Sequence, residues 1–316
     1  MDSARWKIAV VGAGVIGQIY AGRLAEAGYE VWLLARGSAY THLHATGVRL
    51  REGGADSCPP VIFVESVEDI PPVDMVFLAV RADQVTAALP LLADVTTSVV
   101  VTLTNFTDNV PTVAAELGLD RIVIGFPGVG GVRTEAGIEY RRIRQQPTML
   151  GEAGGREQAV VEVLQTAGLD VDVVPDVEAW LATHTVFIAG VGAAILSASG
   201  AGQLGTDRAA TARMVLSIRD GFNALTHNSI MVTPTPLRLI FTRVPRWFSV
   251  PYWQRNMCGE LGELTLAPHI FATRNTEFPL IAAAARRIAP GARVLSAALD
   301  AAGYPAGFHA GTSTTD

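Results

Sequence analysis

The chain has 316 residues, 49% of them hydrophobic and 17% charged, with a net charge of −6. That composition belongs to a globular protein large enough for two domains and excludes a disordered one. An acidic chain without a Lys/Arg block does not suit nucleic acid or an anionic membrane surface. The two cysteines, Cys58 and Cys258, lie outside any CxxC pattern. Neither a disulfide framework nor a structural zinc site is expected, and a reducing cytoplasm fits.

The opening MDSARWKIAVVGAG lacks a signal-peptide layout, because its apolar stretch turns at once into glycines. The first half then alternates apolar runs with segments of helical spacing. The runs are KIAVVGAG, YEVWLLAR, MVFLAVRA, SVVVTLTN and DRIVIGFPG; between them lie QIYAGRLAEAG, ADQVTAALPLLADV and NVPTVAAELG. Continuous β-branched runs separated by helices predict a parallel sheet covered on both faces. Around residues 138–152, IEYRRIRQQPTMLGE predicts one or two antiparallel strands ending the domain. GREQAVVEVLQTAG predicts another helix and LDVDVVPD a last extended piece. The fold class is therefore α/β: a Rossmann-type, doubly wound domain over residues 1–174, followed by an all-helical domain over 175–316.

Asp176 is the expected N-cap of a long helix opening at Ala179 and Trp180. From Leu181 to Gly205 no Asp, Glu, Lys or Arg occurs, and length alone would allow a membrane crossing. Scattered His, Thr, Ser and Gln residues and the lack of a basic flank favour a helix buried in protein. Its Gly and Ala residues from Val186 to Leu196 allow close approach by another helix, either in the core or at a homodimer seam. Helices follow over RAATARMVLSIRDGFNALTHN, TPLRLIFTRV, EFPLIAAAARRIA and RVLSAALDAAG, and the tail FHAGTSTTD is expected to fray.

Gly12, Gly14 and Gly17 form GxGxxG between a strand and a helix, the context that gives this otherwise weak motif its meaning. Gly12 permits the tight turn, Gly14 lets the backbone approach a pyrophosphate, and Gly17 lets helix pack on strand. Val15 and Ile16 open the helix, whose free N–H groups and partial positive charge suit phosphates. The second strand ends in Arg36, where NAD-specific sites usually carry Asp or Glu and where an arginine accommodates the 2′-phosphate of NADP. NADP(H) is thus the expected cofactor; the competing readings are a turn that merely packs and a plain surface arginine. Two further strand ends face the same crevice: Val80, Arg81 and Gln84 in FLAVRADQ, and Thr104 and Asn105 in VVTLTN. Asn105 could hold the ribose or nicotinamide edge, and Arg81 a phosphate or an anionic substrate; for each, an ordinary loop-polar role competes.

These residues, in this order and spacing, resemble the ketopantoate reductase family. The resemblance implies an NADPH-dependent reduction of a 2-oxo acid in a cleft between a Rossmann domain and a helical domain. By it, Arg36 matches the family's 2′-phosphate arginine, Arg81 stands where the family has Lys, and Gln84 and Asn105 match directly. Thr104 replaces a Gln and Phe106 a Gly. The family's W-x-K lysine falls on Ala182 when Trp180 is aligned, and its two asparagines on Val186 and Gly190. A slide of two brings His184 to the lysine slot and the asparagines to Ile188 and Gly192. Ser249 maps to the substrate serine, with Glu260 and Glu263 flanking the glutamate position.

Carbonyl reduction needs a group near oxygen that supplies a proton. On the long helix His184 is the strong acid/base candidate, beside the weaker Thr183 and Thr185, and Trp180 lies one turn earlier on the same face. A histidine satisfied within the core is the equal alternative. The Arg- and Trp-rich region from Pro236 to Arg274 could hold a bulkier carboxylate, or form a solvated rim and subunit interface. His269 with Glu260 and Glu263 has no metal-binding spacing, so no metal is expected. The expected function is an NADPH-dependent reductase of a 2-oxo acid or related carbonyl, not ketopantoate itself. His184 and Asn105 are its catalytic candidates, and Trp180, Ser249, Glu260 and Glu263 its substrate contacts. The rivals are a non-catalytic NADPH-binding sensor and an imine-reducing enzyme.

Overall fold

The computed structural model describes residues 6–93, 95–105, 121–143 and 146–307. The segment NVPTVAAELG and the tail FHAGTSTTD lie outside them. The chain divides into two compact units, Met1–Val177 and Glu178–Asp316.

The first unit is built on an eight-stranded sheet of order β12-β11-β8-β7-β6-β1-β2-β5. Within it β1 (Lys7–Val11) is flanked by β2 (Glu30–Leu34) and β6 (Met75–Leu78), with Ile8 paired to Val31 on one side and Met75 on the other. β5 (Ile62–Val64), β7 (Val99–Leu103) and β8 (Ile122–Phe126) extend the parallel array. The five apolar runs of the sequence are β1, β2, β6, β7 and β8. They lack period-2 alternation because parallel strands are covered on both faces, and Ile8, Val10, Val76, Phe77, Val100 and Val101 are wholly buried. α1 (Val15–Glu26), α2 (Ser38–Thr46), α3 (Val85–Ala93) and α4 (Arg156–Thr166) complete the αβ units.

The stretch 138–152 divides between two sheets. β11 (Thr148–Gly151) runs antiparallel to β8 and is followed by β12 (Val171–Val174), which pairs parallel to it. β10 (Gly137–Arg142) joins a separate four-stranded sheet with β9 (Val129–Thr134), β3 (Leu50–Glu52) and β4 (Ala55–Ser57). The three-residue strands β3 and β4 are too short to show a period, and β3 pairs with β10 across distant sequence, Leu50 to Ile138, which no local pattern encodes.

The described part of the second unit is helical throughout. It runs through α5 (Val177–Ala198), α6 (Ala201–Thr206), α7 (Arg208–His227), α8 (Thr235–Thr242), α9 (Arg246–Met257), a π-turn over Leu261–Leu266, α10 (Ala267–Thr273), α11 (Glu277–Ile288) and α12 (Arg293–Ala301). Asp207 caps α7 by accepting hydrogen bonds from the Ala209 and Ala210 N–H groups at 2.8 and 2.9 Å.

α5 is long and apolar enough to cross a membrane by length and composition, yet 72% of its apolar window is buried inside the protein. Its glycines explain the burial. A side chain at Gly190 would meet Ile218 of α7 at 2.5 Å, and one at Gly192 would collide with Phe278 of α11. These two glycine faces are taken by the chain's own helices, so of the two readings of the Gly/Ala stretch the core reading holds there.

Candidate functional site

Sheet topology brings the loops after β1, β2, β6 and β7 to one edge, the carboxyl ends of parallel strands where ligands bind in this architecture. At the first, Gly12 has φ +112, and a Cβ there would lie 2.5 Å from the Ala79 carbonyl oxygen. Only glycine fits that left-handed, crowded position. Gly17 packs so tightly on the turn that a Cβ would collide with the Gly12 carbonyl. Gly14 differs: it caps α1 in an extended conformation, is exposed, and a Cβ there would meet nothing within 4 Å. Two glycines are thus demanded by the protein's own packing, and the middle one by nothing among the described residues. The cradle fits a dinucleotide, whose pyrophosphate would need that open space and the N–H groups of Val15, Ile16 and Gly17. Gln18 bonds back to the turn, its Nε2 donating to the Ala13 carbonyl at 2.8 Å.

After β2, Arg36 is exposed, and its guanidinium forms no hydrogen bond or ion pair with the described residues. Gly37 follows in a left-handed conformation as N-cap of α2, and its N–H donates to Glu65 Oε1 at 3.1 Å. This acidic neighbour comes from the end of β5, and nothing local in the sequence announced it.

After β6, Val80 is half-buried, while Arg81 and Gln84 are exposed and locally engaged. Gln84 Oε1 accepts from the Arg81 N–H at 3.3 Å. The Arg81 guanidinium forks onto Asp83, with Nε to Oδ1 at 3.0 Å and the second nitrogen to Oδ2 at 3.1 Å. An Arg two residues from an Asp is the sequence signal for this pairing. After β7, Thr104 is 3% exposed, and its Oγ1 has no hydrogen-bond partner among the described residues. Asn105 beside it is half-buried. Phe106 lies outside the described residues.

In the second unit His184 sits deep on α5, 7% exposed, stacked on Trp180 with ring centroids 5.2 Å and planes 9° apart. Phe187 lies 6.5 Å further along and leads to Trp253 and Phe241 at 5.5 and 6.0 Å. Burial among these rings, with a smaller contribution from the charge of His269, pushes the His184 pKa down to about 3. His184 is therefore neutral at physiological pH. His269 on α10 is more open, its side chain 41% exposed, and its Nε2 lies 3.6 Å from Oε2 of Glu277, which opens α11 and is itself buried. The three residues come from three helices, so no spacing rule links them.

Of the expected substrate contacts, Trp180 and Ser249 are buried and Glu260 and Glu263 are exposed. Trp180 is 3% exposed and serves as the stacking partner of His184. Ser249 is wholly buried on α9, with no hydrogen-bond partner for its hydroxyl among the described residues, whereas Glu260 and Glu263 are exposed. Ala182, the residue at the aligned lysine position, is half-buried. Of the aromatic residues in the Arg/Trp-rich region, Trp253 is core, while Trp247 and Phe248 are exposed. Among the described residues no three His, Cys, Asp or Glu side chains form a metal-binding group.

Comparison with known proteins agrees with this architecture. Residues 8–155 match the family model described as ketopantoate reductase PanE/ApbA. A curated 2-dehydropantoate 2-reductase of Mesorhizobium japonicum is 40% identical over 104 residues, 31% of each chain, so the match spans under a third of that relative's length. Among solved structures, a PanE/ApbA family ketopantoate reductase from Ralstonia eutropha superposes with a TM-score of 0.68 at 18% identity, covering 92% of this chain and 98% of its own. D-mandelate dehydrogenase with NADH and anilino(oxo)acetate superposes with a TM-score of 0.69 at 13% identity, covering 94% and 97%. The glycine cradle and the strand order lie in the region that matches the ketopantoate reductase PanE/ApbA family model, and the chain shares the fold of these solved structures.

Proposed function

We propose that this protein is an NADPH-dependent reductase of a 2-oxo acid or related carbonyl other than ketopantoate. The observation that carries the reading is the β1–α1 turn, where Gly14 faces open space beside an exposed Arg36 at the end of β2. Residues 1–174 would hold the dinucleotide, with Gly12, Gly14, Val15, Ile16 and Gly17 at the pyrophosphate and Arg36 at the 2′-phosphate. Val80, Arg81, Gln84, Thr104 and Asn105 would line the remainder. When bound, the reduced nicotinamide supplies the hydride.

Carbonyl reduction also needs a proton for the nascent alkoxide, and the second unit carries two imidazoles to weigh as candidates. A neutral, buried His184 can orient or relay a proton but carries no spare one at neutral pH. His269, half-exposed and next to the Glu277 carboxylate, is the better proton source. With Ala182 at the lysine position and apolar residues at the aligned asparagines, ketopantoate loses the partners that the resemblance assigns to it. The free cysteines, Cys58 and Cys258, suit a reducing cytoplasm.

The test is oxidation of NADPH and NADH by the purified chain with a panel of 2-oxo acids. The panel includes ketopantoate and, because of the mandelate dehydrogenase fold, an aryl-bearing 2-oxo acid. Turnover with a non-pantoate acid, reduced at least tenfold in His269→Gln, is expected on the scale typical of general acid loss (about 10²–10⁴). The deep burial of His184 favours one second reading, a protein that binds NADPH without hydride chemistry. Tight binding with no turnover of any carbonyl would replace the first reading by the second.

A further inference from the structure

Glu65 immediately follows β5, the strand paired with β2 in the register Leu34 to Val64. The Ala35 N–H also donates to the Val64 carbonyl at 3.0 Å, so the ends of the two strands are held side by side. Beyond β2 the chain presents Arg36 and then Gly37, whose left-handed conformation (φ +54) precedes the first turn of α2. No side chain of its own caps this nine-residue helix. Glu65 takes that part instead: its Oε1 accepts the Gly37 N–H at 3.1 Å. A fixed carboxylate and an uncommitted guanidinium therefore flank the position where the adenosine ribose of a bound dinucleotide lies in this fold.

The two groups favour different cofactors. A 2′-phosphate brings up to two negative charges and is attracted by Arg36. Glu65 repels it and already holds the N–H that would serve it. A free 2′-hydroxyl is a donor, and a carboxylate is the acceptor that NAD-specific sites place beside it. Here the acid arrives from the neighbouring strand and not from the end of β2.

We propose that Glu65 is a specificity-determining residue that opposes Arg36, lowers the preference for NADPH and lets the site accept NADH as well. This inference rests on the cofactor reading above. Its test is the equilibrium Kd of the full chain for NADPH and for NADH, read by nucleotide or tryptophan fluorescence in the wild type, Glu65→Gln and Arg36→Ala. The Gln variant keeps an oxygen for the Gly37 N–H and removes the charge. Glu65→Gln is expected to shift the NADPH/NADH affinity ratio toward NADPH by about tenfold, equivalent to about 1.4 kcal/mol, with a smaller shift at high salt. Arg36→Ala is expected to shift it the other way. If NADPH binds and Arg36→Ala weakens it while Glu65→Gln leaves the ratio unchanged, Glu65 has no such role and the cofactor reading stands. If the wild type binds neither nucleotide, both fall.

Discussion

The imidazole of His184 lies flat on the indole of Trp180, one helical turn earlier, with planes 9° apart and centroids 5.2 Å apart. The stack makes the imidazole part of an aromatic ladder and removes it from water, which explains why its charged form is disfavoured. It also separates two uses of a histidine that look identical in sequence, a proton donor in a wet site and a neutral ring in a dry one.

That separation is measurable as acid sensitivity. The free imidazole titrates near 6.5 and the folded one near 3. Between these values the unfolded chain binds a proton that the folded chain does not, so stability rises with pH across the window. It is fully present above about pH 6.5 and declines as pH falls toward 3, by on the order of 5 kcal/mol at the bottom. Replacing His184 with Phe keeps a ring on Trp180 and removes the proton. Thermal unfolding across this range should show a shallower acid limb for His184→Phe, and identical limbs would mean the histidine is hydrated or paired.

The glycine turn separates folding from binding. Gly17→Ala forces a methyl into the Gly12 carbonyl and should cost roughly 2–4 kcal/mol or prevent folding, as overpacking against backbone does. Gly14→Ala meets nothing among the described residues and should melt within about 0.5 kcal/mol of wild type. It should nonetheless lose dinucleotide affinity, measured by fluorescence titration. Undiminished affinity in Gly14→Ala would remove the pyrophosphate from this turn.

Tyr20 on α1 reaches β11, its hydroxyl 2.6 Å from Thr148 Oγ1 and 3.3 Å from the Gly128 N–H that donates to it. Burial pushes the phenol up to about 12, so it stays protonated. Tyr20→Phe strands two buried polar groups and should destabilise the chain by about 1–3 kcal/mol, seen in denaturant unfolding. Nucleotide affinity should be unchanged, because the hydroxyl bonds into the protein and not into the cradle.

Asp83 holds the Arg81 guanidinium at 3.0 and 3.1 Å. Both groups are partly exposed, so the pair itself contributes little stability, about 0–1 kcal/mol. Asp83→Asn weakens this pairing and removes a negative charge beside the arginine. If Arg81 meets a phosphate or an anionic substrate, affinity for that anion should rise by about two- to fivefold with no change in melting temperature. An unaltered Kd would assign Arg81 to the loop alone.

Much of the first unit was legible in residue order, because parallel strands buried on both faces write themselves as unbroken apolar runs and the glycine turn sits between one of them and a helix. The run at Ile8–Val11 and the helix after Gly14 could be read at their correct places for that reason. The β3–β4–β10 pairing could not, since it joins short strands across distant sequence. The same limit governs the second unit, where helix periodicity revealed α5 and α7 but not that Glu277 would lie beside His269.

The sequence by itself determined the α/β class, the glycine cradle and Arg36, because each is set by local spacing and backbone requirement. Only the tertiary structure decided that His184 is dry and neutral, that His269 lies beside Glu277, and that Glu65 reaches Gly37. These depend on which side chains distant strands and helices bring within bonding range, and a side chain's charge state follows from the surroundings so assembled.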